Sequence, residues 1–429
     1  MIKKGFCFLF LFLFQQNLAD FNNYECKGNY NENEYLNEFA EKFLYPSDID
    51  HNLCFCGNLN INSVFTDQKI KFDEPQKNLI TRGNLNLKYL GSNDGIGYGL
   101  ELNTKIASGK IKEGRPIMDS FFIFLEKDRI GKVQVGFTKS AASKFSINGG
   151  DVLVGYGSFG SNCLGSFYNH STGSIIGVES PIDNKSSAKI SWISPMIKGF
   201  SIGASYSPSE KNISLIKSEN QKLKNGKKMY GHSDSQWNFF DASPYSKNMF
   251  TIGTSYEHGS LEDIFYKFSV SSWIGKGKTD KENFGVNEVK AIHVGAMFGY
   301  KDLKISAGFT DSGKSLIVSP KNQNSDLKKR AGKQYSLGIS YAINKKLEIS
   351  AGTFYSSVKF SEKEKSTAKI FSLASEYAIK ENIKIYAEYD RIKTRSCDTA
   401  LQLARITETL PEVGDNKANI FMIGMKIEF

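Results

Sequence analysis

The sequence predicts an all-β fold, a transmembrane antiparallel β-barrel of 16 strands. Three observations predict it. Apolar residues hold alternate positions through a series of hairpins, short turns alternate along the chain with long polar connections, and the last segment, NIFMIGMKIEF, ends on an aromatic residue. In that segment Phe421, Ile423, Met425, Ile427 and Phe429 share one face, and Met422, Gly424, Lys426 and Glu428 share the other, because successive side chains of a strand point to opposite sides. One face suits lipid and the other suits water.

The hairpins repeat this pattern. IFSLASEYAIKENIKIYAEYDRI breaks at Lys380 to Asn382, with Phe371, Leu373, Tyr377 and Ile379 alternating before the break and Ile383, Ile385, Ala387 and Tyr389 after it. YSLGISYAINKKLEISAGTFY breaks at Asn344 to Lys346, and IHVGAMFGYKDLKISAGF at Lys301-Asp302, a nearly minimal turn. Between the hairpins lie polar stretches such as 310–333 and 356–367. Tight turns at one rim and extended loops at the other are the pattern of an outer-membrane barrel.

Composition is consistent with this architecture. Past the first 20 residues no stretch approaches the roughly 20 apolar residues of a spanning helix, and the mean hydropathy is −0.35. A closed barrel satisfies every backbone group in lipid while hiding half its polarity inside. The 32 Phe, 20 Tyr, 38 Gly and only 9 Pro suit many strands with aromatic interfacial rings. The start, MIKKGFCFLFLFLFQQNLAD, has the layout of a secretory signal peptide over 1–19. Residues 20–52 read as a periplasmic segment with a short amphipathic helix, since Tyr35, Leu36, Phe39, Phe43 and Leu44 recur at helical spacing. Export leaves the net charge of +10 no nucleic acid to bind and directs it to anionic lipid or solutes.

The barrel is expected over 53–429, with strands at 53–65, 79–90, 96–105, 118–126, 131–138, 188–195, 200–207, 249–256, 264–273, 290–300, 303–310, 334–343, 347–355, 368–379, 383–391 and 419–429. A barrel of that size leaves an aqueous channel. The strand in DSFFIFLE is apolar on both faces, which suits packing against an inserted loop or a neighbouring subunit. The connection over 139–187 is the longest, and loops of such length are usually functional.

Three features, the hairpin RGNLNLKYLGSNDGIGYGLELN at 82–103, the long third loop after GKVQVGFTKSAA at 131–142 and the terminal Phe429, make the chain resemble the general porins of Gram-negative bacteria. Within that family it resembles the trimeric, 16-stranded type of alphaproteobacteria. The resemblance covers the chain after about residue 53. It implies a third loop folded into the lumen as a constriction, a homotrimer, and passive diffusion of small hydrophilic solutes and ions. It implies as partners the outer-membrane lipid and lipopolysaccharide, and the barrel assembly machinery, which would read Phe421, Ile423, Met425, Ile427 and Phe429 as its signal. The third loop reads INGGDVLVGYGSFGSN where the enterobacterial members have a PEFGG-like segment.

With that loop across the lumen, Asp151, Glu179 and Asp183 would face Arg82, Lys88, Lys105 and Lys132 over less than a Debye length of about 8 Å. A transverse field would then select among solutes. Glu101 shares the lumen face, and Arg82 stands in mid-strand, away from both rims. An ordinary solvated lumen wall would display the same charges. The lysines at 211, 217, 222, 224, 227 and 228 form a charge run of the kind usually just solvated.

The cysteines past the leader, Cys26, Cys54, Cys56, Cys163 and Cys397, are odd in number, and Cys54 and Cys56 stand too far apart on a strand to bridge. No metal or other cofactor is implied. Five histidines, of which His293 alone falls in an expected strand, do not recommend an enzyme site. Two other functions fit the same barrel: a solute-selective channel, which would need a ladder of like residues along the lumen, and a surface adhesin or structural barrel.

Overall fold

The computed structural model describes residues 51–68, 77–108, 117–156, 159, 187–210, 245–260, 263–279, 282–315, 318–320, 331–359, 364–395 and 415–429. The expected leader over 1–19 and the helix expected within 20–52 lie outside the described residues, as do Glu179 and Asp183. The strands are β1 (His51–Gln68), β2 (Lys77–Asn93), β3 (Ile96–Ser108), β4 (Ile117–Lys127), β5 (Gly131–Thr138), β6 (Ser187–Ile193), β7 (Phe200–Ser209), β8 (Tyr245–Gly259) and β9 (Ile264–Lys278). They continue as β10 (Phe284–Val286), β11 (Val289–Tyr300), β12 (Leu303–Gly313), β13 (Val318–Pro320), β14 (Ala331–Asn344), β15 (Leu347–Lys359), β16 (Lys365–Lys380), β17 (Ile383–Arg395) and β18 (Asn416–Glu428).

All but β10 and β13 form one closed barrel of 16 antiparallel strands, in which each strand pairs with its neighbour in sequence and β18 returns to β1. Every expected strand is present. The observed strands often run further, as in β8 and β9, which extend to Gly259 and Lys278. Polar residues such as Lys276 and Lys278 stay in the ladder opposite Lys247 and Tyr245. Lipid-driven alternation stops at the membrane boundary while hydrogen bonding does not. The extension also brings His258 into β8, beside His293 as a strand histidine. β10 and β13 pair with each other in a small separate sheet that joins two long connections at one rim.

Alternation is met residue by residue. Leu53, Phe55, Leu79, Ile123, Leu125, Ile252, Phe268, Leu337, Leu373, Phe421 and Ile423 stand exposed on the outer face. Asn62, Asn86, Gln134, Ser205, Ser269, Ser336 and Ser372, of the opposite parity, are buried inside. The turns follow their chemistry. Asp94 and Gly95, with φ of 51° and 70°, form the two-residue link between β2 and β3, and both positive values belong to the hairpin turn whose twist matches the strands it joins.

Closure rests on β1 and β18. Their register runs from Asn58 opposite Glu428 to Gln68 opposite Ala418. Beyond it the terminal residue completes the seam, with Gly57 N donating to Phe429 O at 2.7 Å and Phe429 N to Gly57 O at 3.0 Å. The Phe429 ring lies 6.2 Å from that of Phe55 on the outer face.

Candidate functional site

The segment after β5 carries a helix α1 (Ala141–Phe145) and a 3-10 turn (Gly149–Val152), neither of which strand alternation foresees. Ser140 caps α1 by accepting from Ser143 N at 3.2 Å, the ordinary role of serine at a helix start. From there the segment is bonded, strand after strand, to side chains of the inward-facing parity. Ala141 N donates to Ser205 Oγ (2.7 Å), Ser271 Oγ to Ala142 O (2.8 Å), and Ile147 N to Ser269 Oγ (3.3 Å). Gly149 N then donates to Ser336 Oγ (2.8 Å) and Val154 N to Ser350 Oγ (3.1 Å). It ends on two carboxylates, Gly155 N reaching Glu376 Oε2 at 3.4 Å and Tyr156 N reaching Glu388 Oε2 at 2.6 Å.

His293 explains itself in this setting. Its Nε2 donates to Ile147 O at 2.8 Å while Nδ1 meets Thr310 Oγ1 at 2.8 Å, so it ties the segment to β11. Replacing His293 by alanine would leave a buried carbonyl unpaired, a cost of about 1–3 kcal/mol. We expect faster amide exchange at 147–150 in that variant, with the barrel ladder unchanged, as read by hydrogen exchange.

The wall beneath the segment is stripped of bulk. A β-carbon at Gly203 would come 2.8 Å from Phe145, one at Gly253 2.9 Å, one at Gly295 2.8 Å from Ile147 and one at Gly352 2.7 Å from Phe159. At Gly338 it would run into the Gly149 carbonyl. These glycines lie across from one another or from serines, Gly203 opposite Gly253, Gly295 opposite Gly308 and Gly338 opposite Gly352. A belt of glycine and serine thus runs around half the inner wall, and the segment's backbone rests on it.

The residues expected to form the field are placed as follows. Lys88 pairs with Glu101 at 3.5 Å and Lys132 with Glu126 at 3.8 Å, each across adjacent strands. Lys105 meets Asp119 at 2.8 Å near the rim, well exposed. Asp151 accepts from Asn148 N at 2.8 Å, closing its own turn. Arg82 does meet the segment, through an aromatic ring: its Cζ lies 5.6 Å from the centre of Tyr156. Tyr156 stacks on Tyr386 at 6.4 Å, whose hydroxyl bonds Asn62, and Lys426 Nζ stands 5.6 Å from the Tyr386 ring. Ser372 bonds Asp390, and Lys426 and Lys384 reach Glu376 at 2.7 and 3.2 Å.

The strand apolar on both faces is also accounted for. Phe122 and Phe124 point inward and are 5 % and 4 % exposed. Lys144 of α1 stands 5.4 Å from the Phe122 ring and Lys132 stands 4.0 Å from the Phe124 ring. Cations over ring faces are favourable contacts, so this part of the lumen carries aromatic bases under positive tips. Sequence reasoning missed Tyr156, Tyr386, Glu376, Glu388 and His293 as anchors. For His293, Glu376, Tyr386 and Glu388 the available signal was inward parity on their strands, whereas Tyr156, in the loop, carried none.

Comparison with known proteins accords with this geometry. A family model described as Gram-negative porin matches residues 76–396. An uncharacterized protein of Rickettsia bellii is 25% identical over 348 residues, 72% of this chain and 75% of its own. One of Rickettsia conorii is 24% identical over 355 residues, with the same shares. Among solved structures, the fold is similar to an anion-selective porin from Comamonas acidovorans (TM-score 0.55, 13% identity, 89% of this chain and 100% of that one). It is similar also to Salmonella typhi OmpF in complex with daunomycin (TM-score 0.55, 11% identity, 88% and 97%). The trimer form of OmpT, an outer membrane protein of Vibrio cholerae, aligns with TM-score 0.52 at 13% identity over 88% and 99% of the two chains.

Proposed function

Because the chain belongs to the Gram-negative porins, we propose that it forms an outer-membrane channel for passive diffusion of small hydrophilic solutes and ions, narrowed by the segment over 139–187. The observation that carries the reading is the run of bonds from Ala141 to Tyr156 along the inward face of a closed barrel. The reading includes a leader cleaved after about residue 19, a periplasmic segment over 20–52 and a homotrimer. The trimer form of the structurally similar Vibrio protein supports the last of these. Lipid, lipopolysaccharide and the barrel assembly machinery are its partners in this reading.

Conductance in planar bilayers tests it. A diffusion pore gives a conductance that rises with salt without saturating. Saturation would point to a solute-selective channel, and absence of conductance to a structural or adhesive barrel. Arg82 belongs to the narrow region in this reading, with Lys88, Glu101, Lys105, Lys132, Asp151, Glu179 and Asp183 contributing to the field. Arg82→Gln is expected to shift the reversal potential toward cations, and an unchanged potential would remove Arg82 from the eyelet.

A further inference from the structure

The stretch of inner wall left by the anchors of the third loop has a composition of its own. The loop is bonded from Ser205 of β7 round to Glu388 of β17, while the inward positions of β1–β3 carry Asn58, Asn60, Asn84, Asn86 and Asn103. The register gathers them into one field. Asn58 stands opposite Asn84, Asn86 opposite Asn103, and Asn60 opposite Arg82. With about 3.3 Å per residue and about 4.8 Å between strands, the field measures roughly 13 by 10 Å. It starts at the level of Arg82 and descends toward the rim of short turns. Asparagine is depleted in strands, so its gathering here needs a reason other than strand formation.

The amides have hydrogen-bonding capacity that the wall does not use. Asn84 Nδ2 donates to Asn58 Oδ1 at 3.3 Å, and Asn103 Nδ2 reaches Glu101 Oε1 and Ser120 Oγ at 2.9 and 3.0 Å. Among the described residues, the side-chain oxygens of Asn60, Asn84 and Asn103 accept nothing. Asn86, in the middle of the field, is buried and its Oδ1 has no partner there. Asn58, Asn60, Asn84 and Asn103 are half-buried, and because the wall is closed their open side is the lumen. The bordering charges are matched, Lys88 to Glu101 at 3.5 Å and Lys105 to Asp119 at 2.8 Å. Below Arg82 the field therefore offers hydrogen bonds with little net charge.

We propose that this field is a weak, reversible binding site for uncharged polyhydroxylated solutes, the chemical class of sugars. The proposal rests on the channel reading above and adds a solute class to it. A hydroxyl both donates and accepts, and so does an amide, so a sugar exchanges its waters for the amides bond for bond. An ion finds no unmatched opposite charge there to offset the hydration it gives up. Weak binding over several adjacent groups also suits transport, because a solute must leave as readily as it enters. The place fits as well, since a solute that has passed Arg82 and Tyr156, which stand 5.6 Å apart, meets the field next on its way to the short-turn rim.

The test is the KCl conductance of the full-length barrel, of N84L/N103L and of N84A/N103A in planar bilayers, titrated with sucrose and with tetraethylene glycol. The glycol accepts hydrogen bonds along its length and donates only at its ends. With bath conductivity corrected for, sucrose should lower the parent's current along a saturating curve, and the glycol should not. Each net hydrogen bond lost weakens binding about fivefold, so half-saturation should need roughly 25-fold more sucrose in either variant. Leucine keeps the branched outline of asparagine and alanine opens the wall, so agreement between the two separates lost bonding from changed width, and either variant alone carries the test if the other fails to assemble. A linear response of the parent to sucrose, the same half-saturation in parent and variants, or equal saturation by the glycol would each overturn the proposal. A parent that conducts KCl without saturable sucrose block rejects the amide site and leaves the channel standing. A parent with no KCl conductance overturns the channel reading and this one with it.

Discussion

Gly338→Val is expected to lower single-channel conductance and the size limit for solutes while leaving the barrel folded. Gly338 is where the 3-10 turn lies backbone against wall, with the Gly149 carbonyl occupying the place of a side chain. Adding valine there overpacks a tight contact, at a cost of about 1–3 kcal/mol. One side must yield. Gly338 is held on both flanks by ladder pairs, to Ser306 on β12 and Gly352 on β15. The turn is held by single bonds such as that from Gly149 N to Ser336 Oγ. The turn therefore moves off the wall, toward the axis. Gly338→Ala should give a smaller change of the same sign, and Leu337→Val, on the outer face, none. Liposome swelling with sugars of increasing size, beside planar-bilayer conductance, measures the effect. An unchanged size limit in the valine variant would show that this segment does not set the width.

Deletion of Phe429 is expected to reduce the yield of assembled barrel several-fold before any change in the conductance of molecules that do assemble. The residue contributes two backbone bonds to Gly57 and a ring against Phe55 at the seam between β1 and β18 that closes the barrel. Without it the last strand ends at Glu428 opposite Asn58, and the stretch of β1 without a partner on β18, His51 to Cys56, lengthens to include Gly57, an open edge being a liability for a sheet. Phe429→Tyr keeps ring and backbone and should assemble normally, whereas Phe429→Ala keeps only the backbone bonds and should fall between. Heat-modifiable mobility of membrane fractions reads the yield, and normal yield from the deletion would refute the assembly role.

The barrel was legible in the sequence because lipid imposes period two on every strand it touches, as in Phe371, Leu373 and Tyr377 or Phe421, Ile423 and Ile427. Strand ends were less legible, since the outward positions there, Lys276 and Lys278 of β9, are charged and exposed and carry no apolar alternation to read. The wall pairs were within reach. Counting outward from the Asp94-Gly95 turn sets Lys88 opposite Glu101, which is the observed register, and the turn before Gly131 sets Glu126 opposite Lys132. The seat of the third loop was not within reach. Its contacts depend on which inward glycines and serines share a height in the cylinder, and that requires the register of every intervening strand at once.

The anchors of the third loop also prescribe an order of events. Ala141 reaches a residue 64 positions away, Ile147 one 122 away, Gly149 one 187 away and Tyr156 one 232 away. Contacts between residues so distant along the chain form late, after the entropy of closing the intervening loop has been met. Its most distant catch, Glu388, is on the penultimate strand of the cylinder, so the full seat can form only once that strand has joined the wall. In the proposed reading, in which this segment narrows the channel, the working width is therefore reached only when almost the whole chain is in place.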